Sequence, residues 1–153
     1  MEIYTIQPIT HEETYTVRLQ ELRKGGTLED CRFEGDELQT TVHLGGFHDN
    51  TLVAVGSFFK KDHMTHSLTD AYQLRGMAVL EKHWNKGYGQ QLLSFGEQLF
   101  SDRNIDFIWM NARKNAFGFY EKLGYSRIGS IFEVADIGTH QVLFKELNQN
   151  PKL

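Results

Sequence analysis

The chain has 153 residues, 40% of them hydrophobic and 24% charged, with a net charge of −4, values ordinary for one globular domain. Its negative balance and scattered basic residues give no electrostatic ground for binding nucleic acid. A single cysteine, Cys31, excludes an internal disulfide framework and a multi-cysteine zinc site, and no low-charge apolar run is long enough to cross a bilayer.

The opening MEIYTIQPIT lacks the basic start and apolar run of a secretory signal, so a cytoplasmic protein is expected. Thr10 is placed as a helix N-cap, with Glu12 and Glu13 in the first turn. Val17, Leu19 and Leu22 carry a helical pattern up to the stop at Gly25-Gly26, and residues 27–37 are polar and irregular. TTVHLGGF (40–47) and LVAVGSFF (52–59) read as strands joined by His48-Asp49-Asn50-Thr51. KKDHMTHSLTD (60–70) reads as a polar loop, and AYQLRGMAVL (71–80) as a third strand leading straight into a glycine turn. Gly89 to Asp102 is helical, with an apolar face of Leu92, Leu93, Phe95, Leu99 and Phe100. IDFIWM (105–110) has the nearly continuous apolar character of a strand buried on both faces. NAFGFYEKLG (115–124) is a short helix closed by Gly124, and YSRIGSIFEV (125–134) with THQVLFKEL (139–147) forms a closing antiparallel pair. The pattern predicts one α/β (α+β) domain over residues 1–153, a mixed central β-sheet flanked by helices.

The turn Asn85-Lys86-Gly87-Tyr88-Gly89-Gln90 joins a strand to a helix, the arrangement that exposes unpaired N–H groups to an anion. Bare backbone at Gly87 and Gly89 and the charge of Lys86 suit phosphate, although the same spacing also suits an ordinary tight turn. A dinucleotide fingerprint fails because Leu92 stands where its third glycine belongs, and the Gly-Lys-Ser/Thr of a P-loop is absent. His63-x-x-His66, with His83 later, has no cysteine or matched carboxylate, so it is read as solvated and no metal site is predicted.

RGMAVLEKHWNKGYGQQLL, followed by NARKNAFGFYEKLGY, resembles the two central motifs of the GNAT superfamily of N-acetyltransferases. The first is a strand, a glycine turn and a helix; the second is matched by Ala116 to Tyr125. LRKGG, GDEL (35–38), His43-Leu44 and Asp136 to His140 extend the resemblance to an ElaA-like branch over the whole chain. The pattern departs at Trp84, where the family carries a Gln or Arg three residues before the first glycine.

The resemblance implies acetyl-CoA as cosubstrate, with the backbone of Met77, Ala78 and Val79 paired to the pantetheine arm. It implies that Asn85, Lys86, Gly87, Tyr88, Gly89 and Gln90 wrap the pyrophosphate, with Asn111 and Arg113 also on the cofactor side. Asn111, taken as the end of its strand, bonds the cofactor or substrate, or caps the turn. Tyr120 is the candidate general acid, since a phenol of pKa about 10 is protonated at neutral pH. On position alone Tyr120 reads as a helix tyrosine packed beside Phe117 and Phe119, and it is the motif that makes it the acid. The general base stays open among Glu133, His140, His43, Glu34 and Asp36. Asp36, His43, Arg75 and His140 are assigned to the substrate side. Read from residue type alone, His43 is a satisfied structural histidine, while Glu133 and Asp36 are solvated or paired carboxylates. Arg75 either anchors a substrate carboxylate or pairs with one of the acids. The implied activity is transfer of an acetyl group to a primary amine, small molecule or peptide, by direct attack in a ternary complex. The alternative is a catalytically inactive acyl-CoA sensor or partner-binding module, for which Trp84 is the only hint. Homodimers are common among such proteins, and no interface is legible here.

Overall fold

A strand precedes the first helix, an element that the sequence pattern does not announce. In the computed structural model, which describes residues 4–147, the order is β1 (Tyr4–Ile9), α1 (Tyr15–Glu21), β2 (Val42–His48), β3 (Thr51–Lys60), β4 (Ala71–Val79), α2 (Tyr88–Asp102), β5 (Phe107–Arg113), α3 (Phe117–Lys122), β6 (Ser126–Val134) and β7 (Gly138–Glu146). The strands hydrogen-bond in the order β1-β2-β3-β4-β5-β7-β6. The β4–β5 pair is parallel, whereas β1–β2, β2–β3, β5–β7 and β6–β7 are antiparallel, which makes the sheet mixed and the class α+β. The chain forms two compact units, Met1–Phe59 with Leu74–Leu99, and Lys60–Gln73 with Phe100–Leu153.

In the first unit, β1 corrects the expected element order. It is an edge strand, the place where Pro8, lacking an N–H, is tolerated opposite Leu44. Thr10 and Glu13 then form a reciprocal capping box: Glu13 N–H donates to Thr10 Oγ1 at 3.2 Å and Thr10 N–H to Glu13 Oε1 at 3.0 Å. A 3₁₀ turn (Glu12–Thr14) follows, so α1 is shorter than the expected helix. The β2–β3 hairpin turns on two residues, Asp49 and Asn50, both left-handed (φ 48° and 72°), as a tight primed turn requires. Val17, Val55 and Ala78 form a core with Ile9, Leu22, Leu52 and Leu80 against it. Helix α2 lies close on β3 because a Cβ is missing at two points: one at Gly56 would stand 2.8 Å from Leu92, and one at Gly96 would stand 2.6 Å from Phe58. The buried stripe of α2 runs through Leu92, Leu93, Gly96 and Phe100, which leaves Phe95, expected inside, 38% exposed on its flank.

In the second unit, Ile108, Trp109 and Met110 of β5 are buried, as their apolar run implies. The strand does not end there: its antiparallel ladder with β7 continues through Asn111, Ala112 and Arg113. The stretch 60–70 is more than a polar loop. Leu68 packs with Ala71, Trp109 and Val142, His63 bridges to Leu68, and Trp109 Nε1–H donates to the Lys61 carbonyl at 2.8 Å. Helix α3 ends at Gly124, whose φ of +97° is the left-handed exit expected of a C-terminal glycine.

Candidate functional site

In the first unit, β4 runs unbroken through Gly76, which adopts φ +65° inside the strand and so re-aims the backbone just before Met77. Only glycine suits this point, because a Cβ there would stand 2.6 Å from the Phe33 ring. Beyond Val79 a 3₁₀ turn (Glu81–His83) intervenes, so the strand does not run straight into the glycine turn. Asn85 and Gly87 then take left-handed conformations (φ 63° and 80°), and α2 starts at Tyr88. Gln91 N–H bonds the Gly87 carbonyl at 3.0 Å. The N–H groups before it belong to the first turn, which has no intrahelical acceptors. No acidic residue stands in that turn, and Lys86 is exposed beside it. Positive dipole end, bare donors and a neighbouring ammonium make a cradle that fits an anion such as a pyrophosphate.

Two neighbours hold the cradle in place. Tyr88 is buried, its ring stacked 4.1 Å from that of Tyr4 at 9°, and the Tyr4 hydroxyl donates to the Tyr88 carbonyl at 3.0 Å. Burial and the adjacent Tyr88 phenol raise the Tyr4 pKa, so this donor stays protonated. The half-exposed Trp84 donates its indole N–H to the Val79 carbonyl at 2.6 Å, closing the connection back onto β4. Tyr88 thus offers a ligand its backbone, while its side chain belongs to the packing.

Asp36 and His43 lie in a buried network around Arg18, a residue that sequence reading missed. Arg18 is 0% exposed, Asp36 4% and His43 5%. Arg18 donates to both Asp36 carboxylate oxygens (2.7 and 3.1 Å), to Ser57 Oγ (2.9 Å) and to the Cys31 carbonyl (2.8 Å). Phe33 N–H adds a third bond to the Asp36 carboxylate at 2.9 Å. His43 Nε2 faces the Asp36 carbonyl at 2.9 Å, and a carbonyl only accepts, so Nε2 carries the hydrogen. Nδ1 therefore accepts from the Ser57 hydroxyl at 2.7 Å. Burial pushes the His43 pKa down and outweighs the Asp36 contacts that favour its cation. Burial alone would raise the Asp36 pKa, but the Arg18 and Phe33 hydrogen bonds and the Arg18 charge hold it low. Both side chains, expected on the substrate side, have their polar atoms engaged by protein. Arg75 is exposed on β4, its guanidinium 5.0 Å from the Phe33 ring centre and 5.3 Å from that of Phe59.

In the second unit, Asn111 and Arg113 lie two residues apart on β5, both exposed, opposite Val142 and His140. Asn111 is an interior strand residue rather than a strand end. Tyr120 on α3 is 8% exposed between the rings of Phe119 (5.1 Å) and Tyr125 (5.8 Å), and burial pushes its pKa up to about 12. Glu133 is exposed and accepts from Thr139 Oγ1 at 2.7 Å. His140 is buried against Phe132 and donates from Nδ1 to the Gly138 carbonyl at 2.9 Å, which leaves the lone pair on Nε2. Among the described residues no group of three or more His, Cys, Asp or Glu is placed to hold a metal, and the His63 and His66 rings face one another at 4.7 Å.

The chain belongs to the acetyltransferase (GNAT) family, whose model matches residues 1–125. It is 34% identical over 142 residues to the uncharacterized N-acetyltransferase YitI of Bacillus subtilis (strain 168), covering 93% of this chain and 95% of that protein. Its fold is shared with an aminoglycoside 6′-N-acetyltransferase complexed with coenzyme A (TM-score 0.75, 15% identity, 97% of this chain and 99% of that one). The same holds for Escherichia coli ElaA (TM-score 0.72, 19% identity, 94% of this chain and 100% of that one).

Proposed function

We propose that this acetyltransferase moves an acetyl group from acetyl-CoA to a primary amine by direct attack within a ternary complex, in the cytoplasm. The observation that carries the reading is the cradle at the start of α2, preceded by a strand with left-handed backbone at Gly76, in a chain of the GNAT family. Asn85 to Gln90 take the pyrophosphate on backbone donors with Lys86 alongside. The Met77–Val79 backbone pairs with the pantetheine arm, and the Met77 N–H, which follows the left-handed Gly76, polarises the thioester carbonyl. Asn111 and Arg113 serve the same cosubstrate.

The amine nitrogen attacks the carbonyl carbon, a C–N bond forms and the C–S bond breaks. Tyr120 protonates the departing thiolate, a role suited to a phenol whose burial keeps its proton on well above neutral pH. His140, with the Nε2 lone pair available, removes the proton from the amine directly or through water, with Glu133 as the nearby alternative on the adjoining strand. Holding both reactants in line supplies much of the acceleration. Asp36 and His43 act from within, fixing Phe33 and β3 through Arg18 and Ser57. The inactive-module reading rested on Trp84, and its bond to Val79 gives that residue a loop-bracing task compatible with catalysis. Mixing the protein with acetyl-CoA and a series of primary amines tests the proposal by release of free thiol. Amine-dependent, saturable release is expected; thiol release that no amine accelerates would overturn it.

A further inference from the structure

Three guanidinium groups surround the ring of Phe33: Arg18 at 3.8 Å, Arg75 at 5.0 Å and Arg23 at 5.4 Å from its centre. They are not equivalent. Arg18 is buried and answered by the Asp36 carboxylate. Arg23 is half-buried and donates to the Leu22 carbonyl at 2.9 Å. Arg75 is exposed, and no hydrogen bond or ion pair of its guanidinium is found among the described residues. Its place is nonetheless defined, because it rests on both Phe33 and Phe59. Burial disfavours its charge, Asp36 and Glu34 attract it, Arg18 and Arg23 repel it, and Asp36 is already held by Arg18.

A guanidinium braced on aromatic faces presents its N–H fork outward, the geometry that grips a carboxylate with two parallel bonds. Arg75 stands two residues before Met77, so the two Cα atoms are at most about 7 Å apart. An acceptor gripped there by its carboxylate lies close to the strand segment proposed above to hold the thioester. We infer that Arg75, backed by Arg23 and seated on Phe33 and Phe59, is a carboxylate subsite, and that the acceptor is an amino acid whose amine is thereby presented toward Met77. This inference rests on the acetyltransferase reading above.

The test is thiol release at saturating acetyl-CoA with the common amino acids, each paired with its carboxamide, for the wild type, Arg75→Gln and Arg75→Lys. The wild type should use its best amino acid at least tenfold better in kcat/KM than the matched amide, through KM. Arg75→Gln should bring that ratio to within about twofold while leaving acetyl-CoA affinity unchanged, and Arg75→Lys should retain part of it. Equal use of acids and amides by the wild type, a preference that survives Arg75→Gln, or turnover confined to amines without a carboxylate would each overturn the subsite while leaving the acetyltransferase reading intact. Failure of acetyl-CoA to bind, read separately by titration, would overturn that reading and this inference together.

Discussion

Replacing Asp36 by Asn removes one charge from the most enclosed polar cluster of the first unit while keeping the side chain's shape. In the wild type the carboxylate accepts two bonds from Arg18 and one from Phe33 N–H, and the Arg18 guanidinium is wholly buried. Asn can receive only some of those donors, and its amide nitrogen faces one of them. Breaking one side of a buried pair costs about 3–5 kcal/mol, because the remaining charge is left without its counter-ion. Against a domain stability of about 5–15 kcal/mol this is a severe loss. With a urea m-value of about 2 kcal/mol/M, the unfolding midpoint should fall by about 1.5–2.5 M. Equilibrium urea unfolding followed by circular dichroism measures it. The double variant Arg18→Met/Asp36→Leu should be less destabilised than Asp36→Asn, since an apolar pair leaves no orphaned charge. A cost below about 1 kcal/mol for Asp36→Asn would refute the reasoning, because so small a loss is typical of a solvated pair.

Acid should destabilise the wild type through His43, whose folded pKa lies below its ordinary value: as pH falls through about 6.5 the unfolded chain takes up a proton that the folded chain refuses. Asp36, with its pKa held low, adds a further loss below about pH 4, so urea midpoints should drop between pH 7.5 and 5.5, and His43→Gln should flatten that slope. An unchanged slope in the variant would remove His43 as its source. Tyr120→Phe should lower kcat about a hundredfold while leaving the KM for acetyl-CoA within twofold, and unchanged turnover would remove Tyr120 from the mechanism. Trp84→Phe deletes the bond to the Val79 carbonyl, worth about 0.5–1.5 kcal/mol, and should weaken acetyl-CoA binding about three- to tenfold. Affinity equal to wild type would mean that the indole does not position the cradle.

The elements around the two central motifs were legible because their signals are local. The glycine at 87 is demanded by its own φ, and the buried faces of α2 and β5 follow from apolar residues at helical or strand spacing. Strand β1 was not legible, since a short edge strand containing Pro8 has little pattern of its own and is defined by its pairing with β2. The length of β5 was missed for the same reason: Asn111 and Arg113 are polar and exposed, and only the ladder to β7 makes them strand. The Arg18–Asp36 pair joins residues eighteen positions apart. Its one trace in the sequence is an arginine beside Val17 on the apolar side of its helix, ahead of the GDEL acid. Tyr88 was assigned by its place in the turn, and the direction of its ring depended on Tyr4, in a strand not foreseen.

The most direct measurement is calorimetric titration with acetyl-CoA of the wild type and of Gly87→Val, with adenosine diphosphate as comparison ligand. A Cβ at Gly87 would meet nothing closer than Gln91 Nε2 at 4.0 Å, so the substitution acts through the left-handed backbone that valine resists. Saturable one-to-one binding by the wild type, tighter than that of adenosine diphosphate and at least tenfold weaker in Gly87→Val, is the predicted result. No saturable binding by the wild type at millimolar acetyl-CoA, or equal affinity in both proteins, would contradict the assignment of the α2 cradle as the cosubstrate site.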